Sequence, residues 1–221
     1  MKTVIKDSEL EQWHNISESK MFIEQILNRI KENYDVEHKA YRLSQGNYKN
    51  FSEEYIPTFR YLEFKYGVNS DLEYRHVGLG NQGFDAEIRI GGAIQTIEIA
   101  YPDLGIRTKE YQQQMIDKRS AHKIFDPNVL FEKIKRIIIE TANKKARKQY
   151  GETLLLIYYP FSEDLYPGDI GLSETQFELM IDELKKIIFG ANQVDFFVPG
   201  YEYENIFGKN LKPAKLYHIK K

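Results

Sequence analysis

The sequence predicts an α/β fold, a central mixed sheet flanked by helices, and three features predict it. Apolar residues recur at helical spacing over residues 17–33, 128–149 and 173–189. A glycine-centred hairpin occupies 84–100. A continuous apolar run, LLLIYY at 154–159, reads as a central strand covered on both faces. A meander that feeds a long helix and then a buried strand implies a mixed sheet with helices on both sides.

Taken in order, the first helix spans 17–33, with Ser17 as its cap and Phe22, Ile23, Ile26, Leu27 and Ile30 forming its apolar side. Residues 35–50 are polar and read as loop. A second helix covers 52–66. Glu53 and Glu54 lie in its first turn, where acids favour the helix dipole, and Gly67 ends it. Pro57 is awkward inside this helix and delays its regular start. LEYRHV, 72–77, alternates as a strand. Residues 101–127 read either as a short helix or as a loop. The long helix at 128–149 follows Asp126-Pro127 and carries the stripe Leu130, Ile134, Ile137, Ile138 and Thr141. Ser173 opens a helix that Gly190 closes, and later strands fall near 194–199 and 214–219. No repeat or linker divides the chain, so residues 1–221 read as a single domain. Its parts are an N-terminal helical extension (1–51), a core (52–160) and a C-terminal helix with strands (161–221).

The composition is that of a folded protein: 42% hydrophobic and 29% charged residues in 221. The absence of cysteine excludes disulfides and thiolate metal sites. No apolar run is long enough for a membrane span, and the N-terminus lacks an apolar signal core, so the expected location is cytoplasmic and no membrane partner is expected. The net charge of −2 is unevenly spread. Residues 129–150 hold seven basic residues against two acidic ones, and 209–221 hold five lysines and no acid. Such asymmetry marks either a polyanion-binding face, with Lys133, Lys135, Arg136 and Lys144 as its contacts, or a solvated helix and a loose basic tail.

The hairpin FDAEIRIGGAIQTIEIA carries the chemistry. Gly91-Gly92 suits a two-residue turn with positive φ, which makes Ile90 face Ala93 and sets Asp85 opposite Glu98. Like charges opposed across a ladder destabilise a sheet, and a divalent cation between them removes the conflict. Alternation assigns Asp85, Glu87, Arg89, Ile94, Thr96 and Glu98 to one face. Phe84, Ala86, Ile88, Ile90, Ile97 and Ile99 take the core face, with Gln95 as its polar exception. Asp85, Glu87, Thr96 and Glu98 cluster at the end away from the turn. Their hard oxygens suit Mg²⁺ or Mn²⁺. The competing reading is a solvated acidic pair.

Other chemistries have no pattern to stand on. The five histidines are scattered without zinc spacing, and no GxSxG elbow, Walker loop or GxGxxG fingerprint occurs. GLGNQG, 78–83, precedes a strand and not a helix, so it reads as a turn rather than a phosphate cradle.

An Asp near the start of one strand, an acid late in the next, then a helix and a buried strand, resembles the core of the PD-(D/E)xK, or restriction-endonuclease-like, nuclease superfamily. The resemblance covers roughly residues 52–160. It implies a nuclease-like core, Asp85 and Glu98 as metal ligands, Mg²⁺ or Mn²⁺ as cofactor, and hydrolysis of DNA phosphodiester bonds. RNA stays open as a substrate, and a homodimer as an assembly. One departure stands out. The family expects Lys two residues past the second acid, and this chain reads Glu98-Ile99-Ala100. In the family that lysine serves the attacking water or the developing charge, and some members move it to the following helix. The stripe 134, 138, 141 extends by helical steps to Lys145 and Lys148, which stand in for it in this reading. The alternative for both is a cation snorkelling from a frayed helix end. The alternative for the whole chain is a catalytically inactive nuclease-like scaffold that binds nucleic acid or protein.

Overall fold

The computed structural model describes residues 5–32, 41, 46–68, 71–78, 83–102, 113, 127–159, 173–205 and 208–220. Most of the polar 35–50 stretch, the middle of the 78–83 turn, and nearly all of 101–127 lie outside these residues. So do Arg107, Lys109, Arg119 and Lys123, basic residues that a polyanion-binding reading of the chain would add to its contacts. The fold is α/β: a seven-stranded mixed sheet flanked by helices, in the order β1 (His14–Asn15), β2 (Glu73–His76), β3 (Ala86–Ile90), β4 (Ala93–Ala100), β5 (Gly151–Tyr158), β6 (Ala191–Val198) and β9 (Lys215–Lys220), and a separate two-stranded sheet of β7 (Tyr201–Asn205) and β8 (Gly208–Lys212). Backbone contacts group the chain into two compact units. The first is Met1–Ile97 with Leu104–Lys123, the second Glu98–Asp103 with Ile124–Lys221.

The first unit opens with a short helix α1 (Asp7–Leu10) and strand β1 (His14–Asn15), followed by helix α2 (Ile16–Glu32). Asn15 caps α2, not Ser17. Its Oδ1 accepts the Glu18 N–H at 2.9 Å, and Glu18 Oε2 accepts the Asn15 N–H at 3.1 Å. This reciprocal box satisfies two donors that the first helical turn leaves open, and it needs the extended backbone that Asn15 has in β1. The second predicted helix begins earlier and contains a defect: α3 (Asn47–Asn50), a π turn (Phe51–Tyr55), then α4 (Ile56–Tyr66). Pro57 has no N–H to give the carbonyl four residues back, and its ring crowds that carbonyl; the wider π turn before it relieves both. Gly67, at φ 81°, ends α4 with its N–H on the Glu63 carbonyl at 2.9 Å.

The strands β2 (Glu73–His76), β3 (Ala86–Ile90) and β4 (Ala93–Ala100) form an antiparallel meander. The glycine turn has the predicted two residues. Gly91 and Gly92 sit at φ 55° and 87°, and Ile90 pairs with Ala93. Both angles lie where a side chain would be strained, and their pair matches a primed turn that follows the strand twist. Tyr74, Ile88, Ala86 and Ile97 are buried on one side of the meander. An aromatic cluster packs this unit: the Tyr55 ring lies 5.0 Å from Tyr74, 5.5 Å from Phe22 and 6.2 Å from Phe51.

In the second unit, helix α5 (Pro127–Ala146) precedes β5 (Gly151–Tyr158), α6 (Glu174–Lys185) and β6 (Ala191–Val198). Strands β5 and β6 run parallel, and β9 (Lys215–Lys220) pairs antiparallel on the far side of β6. The apolar run is buried from Leu154 through Tyr159, as its continuous hydrophobicity implies. Ser173 caps α6 through a box with Gln176. The helix ends at Lys185, short of Gly190, and Gly190 has a different task. A Cβ there would stand 2.2 Å from the Lys148 carbonyl, while the Gly190 N–H donates to the Ala146 carbonyl at 3.2 Å. Glycine lets β6 begin directly against the end of α5 and caps it. The hairpin β7 (Tyr201–Asn205) and β8 (Gly208–Lys212), inserted between β6 and β9, is absent from the sequence-based reading. Among the described residues no helix is long and apolar enough to cross a membrane.

Candidate active site around Glu98

Glu98 lies in β4, and its residue is 3% exposed. A carboxylate so placed must be compensated, because moving a lone charge out of water costs several kcal/mol or more. The compensation comes from α5. Lys145 Nζ donates to Glu98 Oε1, and Lys148 Nζ stands 3.4 Å from the same oxygen. Among the described residues, Glu98 Oε2 has no hydrogen-bond donor.

Helical spacing explains the meeting. Phe131, Ile134, Ile138, Ala142 and Ala146 are the buried side of α5, and Lys145 lies at the margin of that stripe in the last turn. Lys148 follows the helix end, where its N–H bonds the Lys145 carbonyl at 3.1 Å. The two side chains differ in exposure: Lys145 is 25% accessible and Lys148 57%. Ala100, at the position where the resembled family carries lysine, is fully buried.

Asp85 is half-buried, immediately before β3. Ala86 pairs with Ile97, and the Asp85 N–H donates to the same Ile97 carbonyl at 2.8 Å, so two residues of this strand oppose one of β4, as in a bulge, and the expected register that sets Asp85 opposite Glu98 stops at Ala86. Glu87, expected beside Asp85, Thr96 and Glu98, pairs with an arginine of β2. Glu87 Oε2 accepts from Arg75 at 2.8 Å, and Glu73 Oε2 from Arg89 at 2.8 Å. Both guanidinium groups lie over the Trp13 ring, at 4.8 and 4.1 Å from its centroid. Glu87 is therefore tied into a cross-strand charge ladder covered by an aromatic ring.

The nucleic-acid candidates divide around α5. At 100° per residue, Lys133, Arg136 and Lys144 share the side away from the buried stripe, together with Arg147 and Glu140. Arg136 and Lys144 are exposed, while Lys133 is half-buried. Lys135 lies off this row, bonded to Glu132 at 2.8 Å and resting 5.1 Å from the Phe131 ring centroid.

Two polar pairs escaped the sequence-based reading. Asp195, fully buried in β6, accepts from Gln193 at 3.2 Å and lies 2.7 Å from His218 Nδ1 across the β6–β9 register. The one signal was an acid inside the apolar run VDFFV. His76 is buried at 3% exposure, with Nδ1 at 3.2 Å from Glu54 Oε2 and neither ring nitrogen in an aligned hydrogen bond. Alternation puts His76 on the sheet face opposite Glu87, so its partner Glu54 meets it on that opposite face.

Burial disfavours the His76 imidazolium and lowers its pKa from 6.5, against the opposing pull of Glu11 and Asp7. As pH falls, the unfolded chain takes up this proton first. The stability contributed by neutral His76 is complete above pH 6.5 and is lost as pH drops through the lower folded value. Urea midpoints are expected to fall between pH 7 and about pH 5 by more in the wild type than in His76→Gln. Equal falls would rule His76 out as an acid-sensitive group.

Among the described residues no group of three or more His, Cys, Asp or Glu side chains is gathered to hold a metal ion. The donor chemistry still suits Mg²⁺, which takes hard oxygens and commonly only one or two protein carboxylates. Comparison with family models, curated proteins and solved structures finds no match to this chain.

Proposed function

We propose that this protein is a metal-dependent nuclease that hydrolyses DNA phosphodiester bonds. The observation that carries the reading is the placement of Lys145 and Lys148 on the buried Glu98, since a family-like acid without its motif lysine needs a cation from another element. Glu98 supplies the carboxylate that the lysines meet, and Asp85 is the second ligand that the family resemblance implies. Bound Mg²⁺ supplies a water of lowered pKa and positive charge for the phosphoryl oxygens. Lys145 holds the Glu98 carboxylate in one orientation. Lys148, more exposed, neutralises charge that develops on the phosphate as the water oxygen bonds to phosphorus and the P–O bond to the leaving sugar breaks. Arg136 and Lys144 follow the nucleic-acid backbone.

A second reading, a catalytically inactive scaffold that binds nucleic acid or protein, draws on two observations. Ala100 replaces the motif lysine, and the two ammonium groups already compensate Glu98 without a metal.

Cleavage assays on DNA and RNA with Mg²⁺ or Mn²⁺ separate the two. The nuclease reading expects metal-dependent cleavage by the wild type and a strong loss of turnover in Lys145→Ala or Lys148→Ala. No cleavage of any substrate with either metal leaves the scaffold. Binding is tested separately. Arg136→Glu combined with Lys144→Glu is expected to weaken DNA affinity and reduce its log–log salt slope by about 2 or more. An unchanged slope would remove α5 from the interface.

A further inference from the structure

Among the described residues, the Glu98 carboxylate receives two ammonium groups on a single oxygen. A divalent cation at the same carboxylate would add a third cationic partner beside them. Cations about 4 Å apart repel strongly at the effective dielectric of a protein surface, so such an ion and both lysines do not share Glu98.

We infer that Lys148 is an exchangeable counter-ion. It holds Glu98 when no metal is bound, leaves when a divalent cation arrives, and carries its charge to a phosphodiester oxygen. The inference rests on the metal-dependent reading of the same site and adds to it a coupling between cation and nucleic acid.

The geometry selects Lys148 over Lys145. Its contact with Glu98 is the longer, at 3.4 Å, and its side chain is the more exposed. Its backbone is held while its side chain is not. The Lys148 N–H bonds the Lys145 carbonyl, and the Lys148 carbonyl lies against Gly190, where even a Cβ would collide. The ammonium can therefore swing at the end of a long side chain without moving α5 or β6. Arg147, its exposed neighbour, and Lys144 lie at the same helix end, so a released Lys148 joins a cationic group facing solvent. Cation binding then strengthens phosphate binding. By linkage, phosphate strengthens cation binding by the same factor.

The test uses Mn²⁺ alone, without nucleic acid, on the full chain. Binding is measured by calorimetry and by the electron paramagnetic resonance of free Mn²⁺, for the wild type, Lys148→Met and Glu98→Gln. Lys148→Met keeps the stem and Lys145, so Glu98 retains a partner and the fold is retained. This variant is expected to bind Mn²⁺ on the order of tenfold more tightly than the wild type, since one competing cation is gone. Glu98→Gln is expected to lose that binding. Wild-type binding that Lys148→Met leaves unchanged or weakens overturns the exchange and spares the metal-dependent reading. Binding by Lys148→Met alone upholds the exchange and moves the wild type to the scaffold reading. Absence of binding in both, or binding untouched by Glu98→Gln, overturns the exchange and the metal-dependent reading together.

Discussion

On the proposed metal-dependent reading, Glu98→Gln is expected to reduce Mg²⁺-dependent cleavage of DNA by about 10³-fold or more, because it would replace a charged metal ligand with a neutral amide of the same shape. The shape matters for the interpretation. Glu98 is buried and receives Lys145 and Lys148, so truncation to alanine would strand two cations beside a cavity. Glutamine keeps a carbonyl oxygen for Lys145 to bond. The activity loss is then separable from misfolding, provided circular dichroism and the urea midpoint show a folded variant. Asp85→Asn is expected to give a loss of the same kind. A Glu98→Gln protein that cuts at the wild-type rate would make Glu98 a structural ion-pair partner and remove the site.

His218→Ala is expected to destabilise the protein by about 2–3 kcal/mol, measured by chemical denaturation. The effect comes less from the lost imidazole than from what it leaves behind. Asp195 is fully buried, and the ring at 2.7 Å stabilises its carboxylate. Without the ring the buried charge loses this close partner, and Gln193 beside it is a neutral amide. The His218 ring is 41% exposed, so solvent screening holds the effect below that of a fully buried pair. Asp195→Asn combined with His218→Ala should recover part of the loss, since a neutral amide is cheaper to bury than a carboxylate. A double variant less stable than His218→Ala would show that the charge of Asp195 is not what His218 compensates.

Much of the architecture follows from short stretches. Gly-Gly between two isoleucine-rich runs dictated the turn, because a type I′ turn needs positive φ at both of its central positions. LLLIYY announced a strand buried on both faces. The periodicity of α5 was enough to bring Lys145 and Lys148 to one end of its buried stripe. What failed locally failed for local reasons. Ser17 and Asn15 are both good caps, and their backbone conformations, not their side chains, decide between them. Gly190 looked like a helix stop, but it serves a close approach between α5 and β6.

By itself, the sequence determined the hairpin, its register between the turn and the Ala86–Ile97 pair, the buried central strand and the helix that carries the lysines, since each depends on turn chemistry or periodicity over neighbouring residues. Only the tertiary structure decided which charges meet. Glu98 and Lys145 are 47 residues apart, Asp195 and His218 are 23, and Glu87 turns to Arg75 rather than to the acids beside it in the strand pattern. The physical reason is that a side-chain ion pair forms where backbone packing brings two groups within a few ångströms and away from water. Periodicity specifies a face, but not which element comes to cover it.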